Sequence, residues 1–324
     1  MKFAIYGYGA IGKTHHRAID TIPQAQLTAI IDNQTVDIDD VLYFTDFQSF
    51  AQSSTDTDVI IIATPNGLHF EHAMQAIDAG FHVLIEKPAV LSTEDFSKLM
   101  QFATEKNVRA FNMLQLRFSP LVKWIKELIT SNSLGKIYLV NAACYWNRNR
   151  EYYQGKAWHG TQKWDGGVLF TQFSHFVDVL HYWLGDLQSI AHESSNFTHT
   201  DCTDFDDSGI LTFRSEDTLG SIVYTTSCLQ KNFESHITLI AEKGTIKISG
   251  QYMNELSHQF LADESMKFPD TSSFTNFMHP SALSEVITAL NKNQHSILDM
   301  ENSANAIAFL EKVQSPSKKT VPEL

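Results

Sequence analysis

The chain has 324 residues, 43% of them hydrophobic and 19% charged, a length suited to about two domains and a balance that builds a packed core. Disordered, collagen-like and coiled-coil chains are excluded. The formal net charge of −13 repels phosphodiester backbones and anionic lipid, so neither nucleic acid nor a membrane surface is expected as a partner.

The opening Met1-Lys2-Phe3-Ala4-Ile5-Tyr6 reads as a strand and lacks the charged, apolar and small-residue series of a secretion signal. No apolar run reaches the ~18 residues that span a bilayer. Cys144, Cys202 and Cys228 show no CxxC spacing and read as free thiols of a reducing compartment. A soluble, cytoplasmic protein is expected.

Short apolar runs at 3–6, 27–31, 59–63, 82–85 and 108–111 predict buried parallel strands. Helices are predicted between them: 11–22, then 68–79 closed by Gly80, then 92–106 opened by the capping sequence Ser92-Thr93-Glu94-Asp95. Repeated strand–helix–strand units give a doubly wound parallel sheet, whose ligands bind beyond the C-terminal strand ends. The pattern changes near Phe118, dividing the chain into 1–118 and 119–324. The second part opens with a helix at 120–130 and a strand at 136–146. A polar, aromatic loop leads to Asp165, and a helix follows at 168–184. Alternating runs at 208–213, 221–226, 235–240 and 245–249 predict an open, largely antiparallel sheet. Helices at 279–291 and 300–313 complete an α/β domain.

Gly7-Tyr8-Gly9-Ala10-Ile11-Gly12 follows a strand and opens a helix. Its glycines permit the tight turn, let backbone approach a pyrophosphate and allow close helix–strand packing, while the N–H groups of Ala10, Ile11 and Gly12 offer an anion site. Asp32 stands 20 residues after Gly12, where a carboxylate accepts from ribose hydroxyls and repels a 2′-phosphate. Asn33 beside it brings no cation, so NAD is favoured over NADP. A strand-ending turn is the plainer account of Asp32.

Glu86-Lys87-Pro88 follows a buried strand at the ligand edge. There an ammonium can be desolvated and put to proton transfer or charge stabilisation, and Pro88 biases Lys87 toward extended backbone. A surface lysine paired with Glu86 is the alternative. His175, on the 168–184 helix, has an imidazole suited to proton transfer near neutrality, and Asp178 one turn on could orient it. On the residues alone, simple packing of His175 between Phe173 and Phe176 is the favoured account.

Together Gly7-x-Gly9-x-x-Gly12, Ala63-Thr64-Pro65-Asn66-x-x-His69, the 80–88 segment ending Glu86-Lys87-Pro88, Gly167…His175-x-x-Asp178 and Glu242-Lys243-Gly244-Thr245-Ile246 resemble the Gfo/Idh/MocA family of NAD(P)-dependent sugar oxidoreductases, over nearly the whole chain. The resemblance implies a Rossmann domain, a second α/β domain whose open sheet often joins subunits as a homodimer or homotetramer, and Lys87 with His175 as proton carriers. It places Thr64, Pro65, Asn66, His69, Glu86 and Gln115 at the cofactor, although Asn66 and His69 also suit a helix cap and first turn. Gln115-Leu116-Arg117 and the 146–164 loop resemble the branch that oxidises nucleotide-linked sugars at C3, such as UDP-N-acetylhexosamine or its uronic acid, for surface polysaccharides.

In that branch Arg117, Trp146, Arg148 and Trp158 would meet the substrate, since arginine forks suit diphosphates and aromatics stack on a base or sugar. An oligomer contact suits such a loop equally well. Many members of the family carry an acid four residues before the histidine; here Thr171 stands there, beside Gln172. A threonine is no base at neutral pH, so Thr171 and Gln172 are expected to bind a substrate hydroxyl. His69 and His72 lack a third ligand, and no metal is expected. Free-sugar or inositol dehydrogenases, NAD-dependent glycosidases and silent NAD-binding sugar sensors are the rival functions.

Overall fold

The computed structural model describes residues 1–314 apart from 36, 37, 39, 157, 264, 267 and 269–276. Residues 315–324, the end of the second expected domain, lie outside the described residues.

Six parallel strands form the first sheet: β1 (Lys2–Tyr6), β2 (Gln26–Ile31), β3 (Leu42–Phe44), β4 (Val59–Ile62), β5 (His82–Ile85) and β6 (Ala110–Asn112). Their order is β3-β2-β1-β4-β5-β6. The direction of winding reverses between β1 and β4, which opens the ligand crevice at their C-terminal ends. Val59 through Ile62 are fully buried because helices cover both faces, so the strand reads as a continuous apolar run.

The glycine loop feeds helix Ala10–Asp20; His69–Asp78 and Thr93–Glu105 are the other two expected helices. Ser92 caps the last of these, its hydroxyl accepting from Asp95 N–H at 3.0 Å. β3 and the short helix Phe47–Gln52 escaped the periodicity, being too brief to show one. Helix His279–Lys292 returns to the first sheet, where Ala282, Leu283 and Val286 join Phe3, Ile5 and Ile19 in one apolar cluster.

The second sheet has seven strands: β7 (Ile137–Tyr145), β8 (Gln188–Ser195), β9 (Ser208–Ser215), β10 (Thr218–Thr225), β11 (Glu234–Ala241), β12 (Gly244–Ser249) and β13 (Glu255–Leu261). They run β13-β12-β11-β7-β10-β9-β8, antiparallel except for the β7–β10 pair. One face buries Val140, Ala142, Leu211, Phe213, Ile222 and Ile237 against helices Pro120–Thr130, Ser174–Leu184 and Ala304–Gln314. The other leaves Leu139, Ile210, Leu219 and Ile240 exposed.

The helix expected at 168–184 is interrupted. It forms as Val168–Thr171 and Ser174–Leu184, with Gln172 and Phe173 between them. An unbroken helix would use Thr171 O internally; the interruption turns that carbonyl toward Lys87.

Candidate active site

The glycine loop fits a dinucleotide. Gly7 has φ +97°, and a Cβ there would sit 2.7 Å from Ala63 C. A Cβ on Gly12 would lie 2.2 Å from Gly7 O, whereas one on Gly9 would meet nothing within 4 Å. Two glycines therefore serve the fold, and the third leaves space beside the loop. Gly9 starts the helix with no side-chain cap, so the first-turn N–H groups of Ala10, Ile11 and Gly12 face that space with the positive end of the helix dipole. Asp32 closes β2, where Oδ2 accepts from Tyr8 N–H at 2.6 Å and Oδ1 from Gln34 N–H at 2.8 Å. That fixes the carboxylate at the C-terminal end of β2, with Asn33 exposed beside it.

Glu86 and His69, expected at the cofactor, are engaged inside the fold. Glu86 Oε1 pairs with His15 Nε2 at 2.8 Å, and Oε2 accepts from Lys87 N–H at 3.1 Å. Burial alone would raise its pKa, but the His15 hydrogen bond and charge bring it down to about 2. His69 is 1% exposed, its ring nitrogens each 2.8 Å from the carbonyls of Pro88 and Thr64. It clasps the Lys87-Pro88 turn to the end of β4. Thr64, Pro65 and Asn66 remain half-buried at that edge, and Asn66 Nδ2 donates to Asp165 O at 3.1 Å.

Lys87 Nζ reaches across to the second half of the chain and donates to Thr171 O at 3.0 Å. Burial lowers its pKa from the ordinary ammonium value; the Glu86 and Asp165 charges oppose that, and Arg148 adds to it. His175 is held well below the usual imidazole value, first by burial and then by the Lys87 charge. It is therefore neutral at physiological pH. The Gln115 amide donates to His175 Nε2 at 3.2 Å, which leaves the ring proton on Nδ1. Gln115, also expected at the cofactor, thus orients the imidazole. The Lys87 charge acts on the His175 imidazole, although the two residues come from separate halves of the sequence.

Asp178 does not orient His175, because its carboxylate is held by Arg117 at 3.0 and 2.6 Å. Arg117 is 3% exposed and likewise unavailable to a diphosphate. Trp146 is 5% exposed, packed on Phe173 with ring centroids 5.0 Å apart, its indole N–H donating to Ser235. These three expected site residues belong to the core. Arg148 stays at the site. Its guanidinium lies 4.9 Å from the Trp146 ring and 5.2 Å from the Tyr152 ring, and its Nε donates to Gln172 Oε1 at 2.6 Å. Gln172 Nε2 in turn donates to Tyr152 Oη at 2.9 Å, so this amide positions Arg148. Trp158 is half-buried against His159.

Asp165 is the residue that sequence reasoning missed. It is fully buried, with Oδ2 accepting from Gly160 N–H at 2.5 Å and Oδ1 left without a hydrogen bond. Burial pushes its pKa up to about 6 against the Gly160 N–H, the Thr171 hydroxyl and the Lys87 charge. Its one signal in the sequence is the adjoining Gly166-Gly167, both of positive φ, which turn the chain sharply after it.

The pattern describing an oxidoreductase family's NAD-binding Rossmann fold matches residues 1–113, and that of its C-terminal alpha/beta domain matches 126–322. The WlbA dehydrogenase from Bordetella pertussis, crystallised with NADH and UDP-GlcNAcA, is 27% identical and superposes with a TM-score of 0.88 over 97% of this chain and 94% of its own. Glucose-6-phosphate 3-dehydrogenase of Bacillus subtilis is 30% identical over 56% of this chain and 53% of its own length. The scyllo-inositol 2-dehydrogenase (NADP(+)) IolW of the same organism is 30% identical over 56% of this chain and 51% of its own. The chain therefore belongs to the Gfo/Idh/MocA oxidoreductase family, with an NAD-binding Rossmann fold followed by the C-terminal α/β domain.

Proposed function

We propose that this oxidoreductase oxidises a sugar secondary alcohol, C3 of a UDP-linked N-acetyl sugar, within cytoplasmic surface-polysaccharide sugar biosynthesis. The observation that carries the reading is the likeness to WlbA: 27% identity and a TM-score of 0.88 over 97% of the chain, for a protein whose structure holds NADH and UDP-GlcNAcA.

Gly7, Gly9 and Gly12 with the first-turn N–H groups hold the pyrophosphate, Asp32 the ribose, and Thr64, Pro65 and Asn66 line the nicotinamide end. NAD, when bound, supplies the hydride acceptor. His175, neutral with its proton on Nδ1, takes the hydroxyl proton at Nε2 once the substrate hydroxyl displaces the Gln115 amide from that nitrogen. The Lys87 ammonium steadies the charge developing on the sugar oxygen. Arg148 answers the substrate's negative charge, and Trp158 and Thr171 contact the sugar. The open face bearing Leu139, Ile210, Leu219 and Ile240 joins subunits into a homodimer or homotetramer.

The test is a panel of UDP-sugars, free hexoses, inositols and aryl glycosides, followed by NADH absorbance and by product analysis. A 3-keto product from a UDP-N-acetyl sugar or its uronic acid is expected. Turnover of inositol or glucose 6-phosphate with none of the UDP-sugars would overturn the substrate assignment in favour of the free-sugar alternative.

A further inference from the structure

Lys87 carries its positive charge in a place where burial disfavours it, and Arg148 makes matters worse. Glu86, its neighbour in sequence, is the larger opposing charge but is shared with His15. A buried ammonium needs another compensating charge close by.

We propose that Asp165 is a positioning residue for Lys87, a buried counter-charge that keeps the ammonium protonated and its Nζ turned onto Thr171. The inference rests on the assignment of Lys87 as the cation of the site. Three observations carry it. Thr171 accepts from Lys87 Nζ through its carbonyl at 3.0 Å, and its hydroxyl is among the groups that lower the Asp165 pKa. Asp165 Oδ1 is buried with no hydrogen bond, a costly arrangement for a carboxylate without a compensating charge. The main chain of Asp165 is fixed from the other side of the crevice, where Asn66 Nδ2 donates to its carbonyl at 3.1 Å.

The surroundings tune the pair. Asp204 raises the Asp165 pKa while Lys87 lowers it. Tyr152 and Tyr153, on the short helix Arg150–Gln154, also feel the carboxylate. Above about pH 6 Asp165 is ionised and supports the ammonium; below that it takes a proton and the support fades.

Trace acetylation with acetic anhydride from about pH 7 to 11, read at each lysine by mass spectrometry, gives the Lys87 midpoint without any substrate. Removing a nearby opposite charge lowers an ammonium's pKa, so in Asp165→Asn the Lys87 midpoint is expected to fall by about one pH unit, while Asp165→Glu restores it and the other lysines stay put. A Lys87 midpoint within about 0.2 unit of the parent in Asp165→Asn would overturn the proposal. If that variant does not fold, the reciprocal measurement serves. The carboxyl midpoint of Asp165, followed by carbon-13 NMR of labelled aspartate, must rise by about as much in Lys87→Met as Lys87's falls in the first experiment. An unmoved aspartate overturns the pairing. Because neither readout needs turnover, loss of the pairing and loss of the sugar assignment are separate results.

Discussion

Arg117 and Asp178 meet as a buried fork, Nε on Oδ2 at 3.0 Å and Nη2 on Oδ1 at 2.6 Å, from positions that sequence alone would send to the substrate. Nη1 also donates to Ile297 O and Nη2 to Asn302 O. The pair thus ties helix Ser174–Leu184 to the segment leading into the last helices. Breaking a buried ion pair by neutralising one partner leaves the other charge uncompensated. Asp178→Asn should therefore lose about 3–5 kcal/mol in urea unfolding, with NADH affinity unchanged in the folded protein. A stable Asp178→Asn with a raised sugar KM would return the pair to a binding role.

Gly9 and Gly12 separate fold from function within one loop. Gly12→Ala drives a Cβ against Gly7 O, and overpacking of this kind costs about 1–3 kcal/mol. Gly9→Ala meets no protein atom but fills the space where a pyrophosphate would lie. Thermal unfolding should fall for Gly12→Ala and hold for Gly9→Ala, while fluorescence titration with NADH weakens at least about tenfold for Gly9→Ala. Normal NADH binding by Gly9→Ala would mean that the dinucleotide does not cross this turn.

The parts of this protein that were legible in the sequence are those with a local signature. Val59–Ile62 announces a doubly covered strand by its apolar run, Gly7-x-Gly9-x-x-Gly12 announces the turn by its spacing, and Ser92 announces a helix start by its hydroxyl. The partners of Arg117, Trp146 and His69 were not legible. Each is set by a contact across many residues of sequence, Arg117 with Asp178, Trp146 with Ser235, His69 with Pro88, and no periodicity encodes such meetings. Asp165 was hidden for the opposite reason. An acidic residue beside two glycines reads as an exposed turn until the fold encloses it.

Asp32 should decide between the two nicotinamide cofactors. Its carboxylate is pinned at the end of β2 by the N–H groups of Tyr8 and Gln34. Asp32→Ala removes an acceptor for the ribose hydroxyls and the repulsion toward a 2′-phosphate. Affinity for NADH should drop by about tenfold, equivalent to about 1.4 kcal/mol, and affinity for NADPH should rise. An unchanged ratio of the two dissociation constants would remove Asp32 from the adenosine site.

The proposed proton carriers predict a bell-shaped pH profile. His175 works neutral and its pKa lies well below the usual imidazole value, so the acid limb of kcat/KM should fall below about pH 6.5. Lys87 works charged and its pKa is depressed by burial, so the basic limb should begin below about pH 10.5. His175→Ala and Lys87→Ala should each cost about 100- to 10,000-fold in kcat while NADH still binds. Intact turnover in Lys87→Ala would exclude the ammonium from the chemistry.

Asp165 carries a stability cost with a definite pH dependence. Its folded pKa, up to about 6 from 3.8, means that the native state binds its proton more tightly than the unfolded chain does. Stability from this group is intact below pH 3.8 and is lost as pH rises to about 6, amounting to about 3 kcal/mol at pH 8. Asp165→Asn imitates the protonated acid and keeps an oxygen for Gly160 N–H, so it should be more stable than the parent at pH 8, by up to that amount. The advantage should shrink toward pH 4, where both proteins present a neutral group. Guanidinium unfolding at the two pH values measures it directly. A variant less stable than the parent at pH 8 would show that Lys87 repays the carboxylate's burial in full, whereas a more stable one with a lowered Lys87 midpoint marks a residue kept for its charge at the expense of the fold.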